Sequence, residues 1–152
     1  MGEGGRTAVR LEEFLGHPPR TVWRALTDAG LLGRWLMPND FRPVVGHEFT
    51  FTSVPLPVAG FDGTIACRVL AVEPCRLLRL SWRGGAIDTT VTWRLVPEGR
   101  GTRLFLDHAG FDPADPLQRL ALDGLGGGWR GRVVPRLREL LAHGAAAEAG
   151  RD

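Results

Sequence analysis

The stretch DGLGGGWRGRVVPRLRELLAHG, from Asp123 to Gly144, decides the fold. Its second half reads as a helix, yet Gly124, Gly126, Gly127, Gly128, Gly131 and Pro135 punctuate it. Each Gly costs a helix interior about 1 kcal/mol against Ala, and Pro about 3 kcal/mol. At 100° per residue, Leu122, Leu125, Trp129, Val133, Leu137 and Leu140 fall on one face, with Gly126 close to it. Gly124, Gly128, Gly131 and Pro135 fall on the opposite side, so only Gly126 makes room toward whatever the apolar face covers. Two readings remain. Either the glycines and Pro135 bend the helix, or the glycine side lets another backbone, such as a partner subunit, pack closely. The bend is the favoured reading, because glycine clusters and Pro are the common causes of kinks.

What this helix covers lies upstream. "TAVRLEEFLG" reads as a first strand. "HPPRTVWRALTD" opens with Pro and places Val22, Trp23, Ala25 and Leu26 as a helical face ended by Asp28 and Gly30. "LLGRWLMP" is a second short helix stopped by Pro38. Beyond Phe41 the period becomes two: "HEFTF", "GTIACRVLAVEP", "RLLRLSWRG", "DTTVTWRLVPEG" and "GTRLFLDHAGF" are strand candidates separated by Pro- and Gly-rich turns. Such short links favour an antiparallel meander. The order is strand, two helices, five strands and a long helix. A single sheet of that kind needs its apolar face covered, and the last helix is the element long enough to do so.

The chain has 152 residues, 43% hydrophobic and 24% charged, which suits one globular domain. A single domain is expected over residues 6–144, with tails at 1–5 and 145–152. All nineteen basic residues are Arg, against seventeen acids, and the net charge is only +2. The arginines are spread among the acids and form no basic face, which argues against nucleic acid as a partner. No apolar run is long enough to span a bilayer and the amino terminus lacks a signal-peptide core, so no membrane partner and a cytoplasmic location are expected. Cys67 and Cys75 lack metal-ligand spacing and read as small buried thiols; no metal and no cofactor is expected.

"VWRALTD" followed by "RWLMP", then "VGHEF", "GTIACRVLAVEP", "LSWRG", "TTVTWRL", "GTRLFLDHAGF" and "GW" leading into "LRELL" resemble, in order and spacing, the START-like or SRPBCC superfamily. The resemblance covers roughly residues 8 to 143. It is closest to the branch named for homologues of the activator of the heat-shock chaperone ATPase. It implies an α+β helix-grip fold: a curved antiparallel sheet of about six strands wrapped around a long C-terminal helix, with two short helices after the first strand. It also implies a cavity between sheet and helix that takes apolar small molecules in many members. A homodimer is a further expectation from the resemblance. Chaperone-activating members carry an additional amino-terminal domain that is not seen here, which counts against co-chaperone activity.

Strand alternation supplies the candidate site. Leu78, Leu80 and Trp82 share one face, as do Val91, Trp93 and Leu95; Leu104, Leu106 and His108; Ile65, Cys67 and Val69; and His47, Phe49 and Phe51. Trp35, Phe49, Phe51, Phe61, Trp82, Trp93, His108, Leu125, Gly126 and Trp129 are the expected ligand-binding residues, an aromatic wall with few polar groups. The plainer reading is that these side chains simply fill the core. His108 is the polar residue of interest, either a satisfied structural histidine or an acid/base if a reaction occurs. No nucleophile elbow, phosphate loop, zinc motif or dinucleotide fingerprint occurs. The expected function is binding of an apolar or aromatic small molecule, in a carrier, sequestration or resistance role. The alternatives are a polyketide-type cyclase, aromatase or hydrolase, and a module acting on a chaperone or regulator.

Overall fold

In the computed structural model, which describes residues 8–57 and 60–149, a six-stranded antiparallel sheet packs one face against a long C-terminal helix. The strands are β1 (Ala8–Leu15), β2 (Glu48–Thr52), β3 (Thr64–Glu73), β4 (Leu77–Gly84), β5 (Ile87–Glu98) and β6 (Gly101–Ala109). Their order across the sheet is β1-β6-β5-β4-β3-β2. Strands β2 to β6 form the expected meander, and β1 adds beside the last strand, with Val9 opposite His108 and Leu15 opposite Thr102. This is the α+β helix-grip architecture.

Two turns show how the meander is built. Gly85, at φ 57°, turns β4 into β5 in the left-handed region that glycine adopts without steric cost. Between β3 and β4 the hydrogen bond Arg76 N–H to Glu73 C=O closes a turn over Pro74 and Cys75. Cys75 has φ 61° there and is only half-buried, unlike Cys67, so it is a turn residue and not the core thiol expected. One strand irregularity bends the sheet: between Val69 and Ala71 the register with β4 shifts, which leaves Leu70 as an extra, exposed residue.

Helix α1 (Pro19–Thr27) and helix α2 (Ala29–Trp35) follow β1. Asp28 alone separates them; it ends α1 and its carboxylate accepts the Leu31 N–H to start α2. The second helix therefore begins before "LLGRWLMP", and Gly30 lies within it. The Trp35 indole donates to the Ala25 carbonyl at 2.8 Å, which locks the two helices together.

The C-terminal element departs from expectation in one respect. It starts at α3 (Pro116–Gly128), with the Asp115 carboxylate accepting the Leu117 N–H and Pro116 in the first turn. It ends with α4 (Val134–Ala149), past the Gly144 boundary read from the sequence. Residues 1–5 of the expected tails, and 150–152, lie outside the described residues. The glycine segment is regular α-helix. The irregularity is a π-helical turn, Trp129–Val133, in which the Val134 N–H reaches back to the Trp129 carbonyl. A π-turn inserts one extra residue into the helical period. The buried stripe thus runs Leu122, Gly126, Trp129, then Val134, Leu137 and Leu141, while Val133 and Leu140 are only partly covered. Pro135 explains the location: it has no N–H to offer a regular ladder, and the widened turn just before it relieves that demand.

Candidate functional site

The inner face of the sheet carries a continuous chain of rings. Phe41 meets Phe49 at 5.2 Å between centroids, Phe49 meets Phe51 at 5.3 Å, and Phe51 meets Trp82 at 5.3 Å. Trp82 then contacts His108 at 5.3 Å and Trp129 at 5.8 Å, and Trp129 contacts Trp93 at 6.0 Å in an edge-to-face arrangement. Strand alternation puts Phe49, Phe51, Trp82, Trp93 and His108 on this face; Trp129 descends from the helix onto them. The sequence reading expected room among Trp82, Trp93 and Trp129, and in the structure their own rings meet there. Each is about 2% exposed.

His108 sits at the centre, fully buried. Its Nε2 is 2.8 Å from Thr89 Oγ1, and its Nδ1 accepts the Trp129 indole N–H at 3.2 Å. Thr89 Oγ1 spends its own proton on the Trp82 carbonyl at 2.8 Å. The hydroxyl can therefore only accept from Nε2, so the imidazole is the neutral Nε2–H tautomer and every polar atom is satisfied. Burial pushes the His108 pKa down to about 3. A protonated ring would also turn an Nδ1–H toward the indole N–H. As packed, this is a structural histidine whose two nitrogens are both used inside the protein.

The remaining expected residues fall at different distances from the centre. Leu125 and Gly126 lie on α3 over the sheet, Gly126 buried and Leu125 half-buried. A methyl on Gly126 would stand 3.4 Å from Arg130 Nη1 and 3.7 Å from Val9 Cγ2, so the glycine is a snug fit against β1. Phe61 is half-buried in the β2–β3 connection, with its ring edge 3.1 Å from where a Gly84 side chain would begin. Trp35 is buried between α1 and α2 and, among the described residues, makes no ring contact with the chain of aromatics. Three members of the layer were not singled out in the sequence. Phe111 contacts His108 at 4.9 Å, Phe41 extends the chain, and Thr89 orients the imidazole. Thr89 has the same strand parity as Val91 and Trp93, so alternation alone could have found it.

The helix is tied to the sheet edge by arginines. Arg130 in the π-turn donates to the Arg10 carbonyl at 2.9 Å, and Arg138 pairs with Glu13. Arg130 is thus an exposed clip on β1. Among the described residues no cluster of His, Cys, Asp and Glu has metal-binding geometry, and no helix is long and apolar enough to cross a membrane.

Known proteins share this fold. A structure of protein MLL2253 from Mesorhizobium loti superposes with a TM-score of 0.79 at 36% identity, covering 90% of this chain and 97% of that one. CalU16 from Micromonospora echinospora superposes with a TM-score of 0.71 at 27% identity, over 88% of this chain and 75% of its own. PFC0360w, an HSP90 activator from Plasmodium falciparum, gives 0.71 at 18% identity over 90% and 97%, a likeness of fold alone. A search of curated proteins returns no match. The sequence model described as "Activator of Hsp90 ATPase homolog 1-like protein" matches residues 16–142, from the end of β1 into α4, and the chain belongs to that family.

Proposed function

We propose that the protein binds an apolar, aromatic small molecule between the sheet and the C-terminal helix, in space opened when α3 lifts from the aromatic layer. The supporting observation is the uneven anchoring of that helix. Beyond the π-turn, Val134, Leu137 and Leu141 are buried, whereas α3 buries only Leu122 and Gly126. π-turns inside α-helices are frequent at functional sites, and glycine-rich helix costs little to loosen. Lifting α3 takes Trp129 off Trp82, Trp93 and His108. Those rings, with Phe49, Phe51, Leu125 and Gly126, then line the opening. His108 and the Trp129 indole become available to orient a ligand oxygen. Trp35 and Phe61 border this space, Trp35 by holding the α1–α2 pair and Phe61 by closing the β2–β3 end. The role is that of a carrier or a sequestering protein. An enzymatic role has no observation of its own behind it, and a chaperone-directed role has only family likeness.

Tryptophan fluorescence tests the reading. Saturable 1:1 quenching by 1-naphthol, lost or weakened about tenfold when Trp129 is replaced by Ala, is expected. Native mass spectrometry of protein from its own cells should show a retained apolar ligand. Absence of saturable naphthol binding together with an empty mass spectrum would rule the reading out.

A further inference from the structure

The other face of the sheet, away from the helix, carries a concavity of about 600 Å³ that includes Arg10, Thr92, Arg94, Val96, Phe105 and Asp107. The strand register places these side chains, Val96 apart, in two rows. Arg10, Asp107 and Thr92 lie side by side across β1, β6 and β5, and Glu12, Phe105 and Arg94 lie in the next row. Their charges are unevenly satisfied. Arg10 makes a long contact to Asp107 Oδ2 at 3.5 Å, and Glu12 is drawn toward Arg103 at 3.7 Å. The Arg94 side chain, in the middle of β5, has no ion pair or hydrogen bond among the described residues. Asp107 Oδ1 is shut away from water and has no hydrogen-bond partner. Beside them Phe105 and Val96 expose apolar surface, 37% and 47% of each residue.

A concavity, a guanidinium without a counter-ion, a loosely paired carboxylate and a flat apolar flank thus meet in one place. We infer that this concavity binds a small hydroxylated aromatic carboxylate. The carboxylate takes the planar Arg94 fork in a two-pronged, charge-assisted pair, with Arg10 adding positive charge. The ring lies against Phe105 and Val96. The ring hydroxyl donates to the Asp107 carboxylate, whose side chain is 45% exposed and whose contact to Arg10 is long, at 3.5 Å. The site lies on the opposite face of the sheet from the interior beneath α3.

The test is titration of the whole protein with 3-hydroxybenzoate, followed by amide and indole resonances. Shifts are expected on the outward residues of β1, β5 and β6, with the indole signals of Trp82, Trp93 and Trp129 unmoved. Arg94→Gln, a surface change, should weaken binding by about tenfold or more, and benzoate, which lacks the donor, should bind less well than 3-hydroxybenzoate. Arg42→Gln, remote from the concavity, should change nothing. Shifts centred on the indoles, unchanged affinity in Arg94→Gln, or equal binding of the two acids would overturn the proposal. An uncharged aromatic such as 1-naphthol reports on the interior instead, so failure of one site is read separately from failure of the other.

Discussion

His108 is neutral because its neighbours leave it no alternative. Thr89 accepts from one nitrogen, the Trp129 indole donates to the other, and no water reaches the ring. Burial holds its pKa near 3, against an ordinary 6.5 that the unfolded chain regains. The folded value is the lower one, so below pH 6.5 the unfolded state takes up a proton that the native state refuses. Stability is fully present above that pH and falls as the pH drops toward 3, with a limiting slope of roughly 1.4 kcal/mol per pH unit. Urea midpoints measured between pH 7 and 5 should fall, and His108→Gln should flatten that dependence. Thr89→Val and Trp129→Phe each strand one imidazole nitrogen and should each cost about 1–3 kcal/mol in denaturant unfolding. Their effects should be non-additive, since they act through one ring. Strand parity already marks His108 and Thr89 as inward-facing. The tautomer is not legible in the sequence, because it depends on Trp129 arriving from the far end of the chain.

At the scale of the element, the glycines of α3 are open positions. A Cβ at Gly124, Gly127 or Gly128 would meet nothing within 4 Å, and none of these residues has a positive φ. Ala at each site should stiffen the helix by up to about 1 kcal/mol, seen as slower amide exchange over residues 116–128. If α3 is the moving part in ligand entry, the triple variant should bind 1-naphthol more slowly while its final occupancy changes less. Gly101 behaves oppositely: a Cβ there would stand 2.5 Å from the Leu15 carbonyl, so Gly101→Ala should lower the melting temperature. The existence of the long helix and its apolar face could be read from periodicity. The π-turn could not, because a wheel drawn at constant spacing cannot represent an added residue. The same spacing named Val133 and Leu140 where the structure buries Val134 and Leu141. The glycine cluster was also expected to disturb the helix, yet it is regular and the irregularity sits just before Pro135, because glycine only lowers helix stability whereas proline removes a donor.

Across the whole molecule, one buried cluster draws on β1, both short helices, the meander and the C-terminal helix. No part has a core of its own, so unfolding should be a single transition, with far-ultraviolet circular dichroism and tryptophan fluorescence reporting the same midpoint. The alternation and turn residues made the meander readable strand by strand. The pairing of β1 with β6 is a closure between distant segments that no local pattern encodes; likeness to a known fold supplied only the expectation of a sheet of about six strands. The outer concavity was equally hidden, because parity assigns Arg94 and Asp107 to the outward side without saying that they share a hollow. The π-turn has a last consequence for the molecule. From the last residue of the π-turn along α4 two apolar stripes run side by side, Val134 with Leu141 and Val133 with Leu140, and Leu137 belongs to both. Passing the extra residue along the ladder would roll the rod by one notch about Leu137 and exchange one stripe for the other. The gripped element is thus keyed for two seats against a stationary palm.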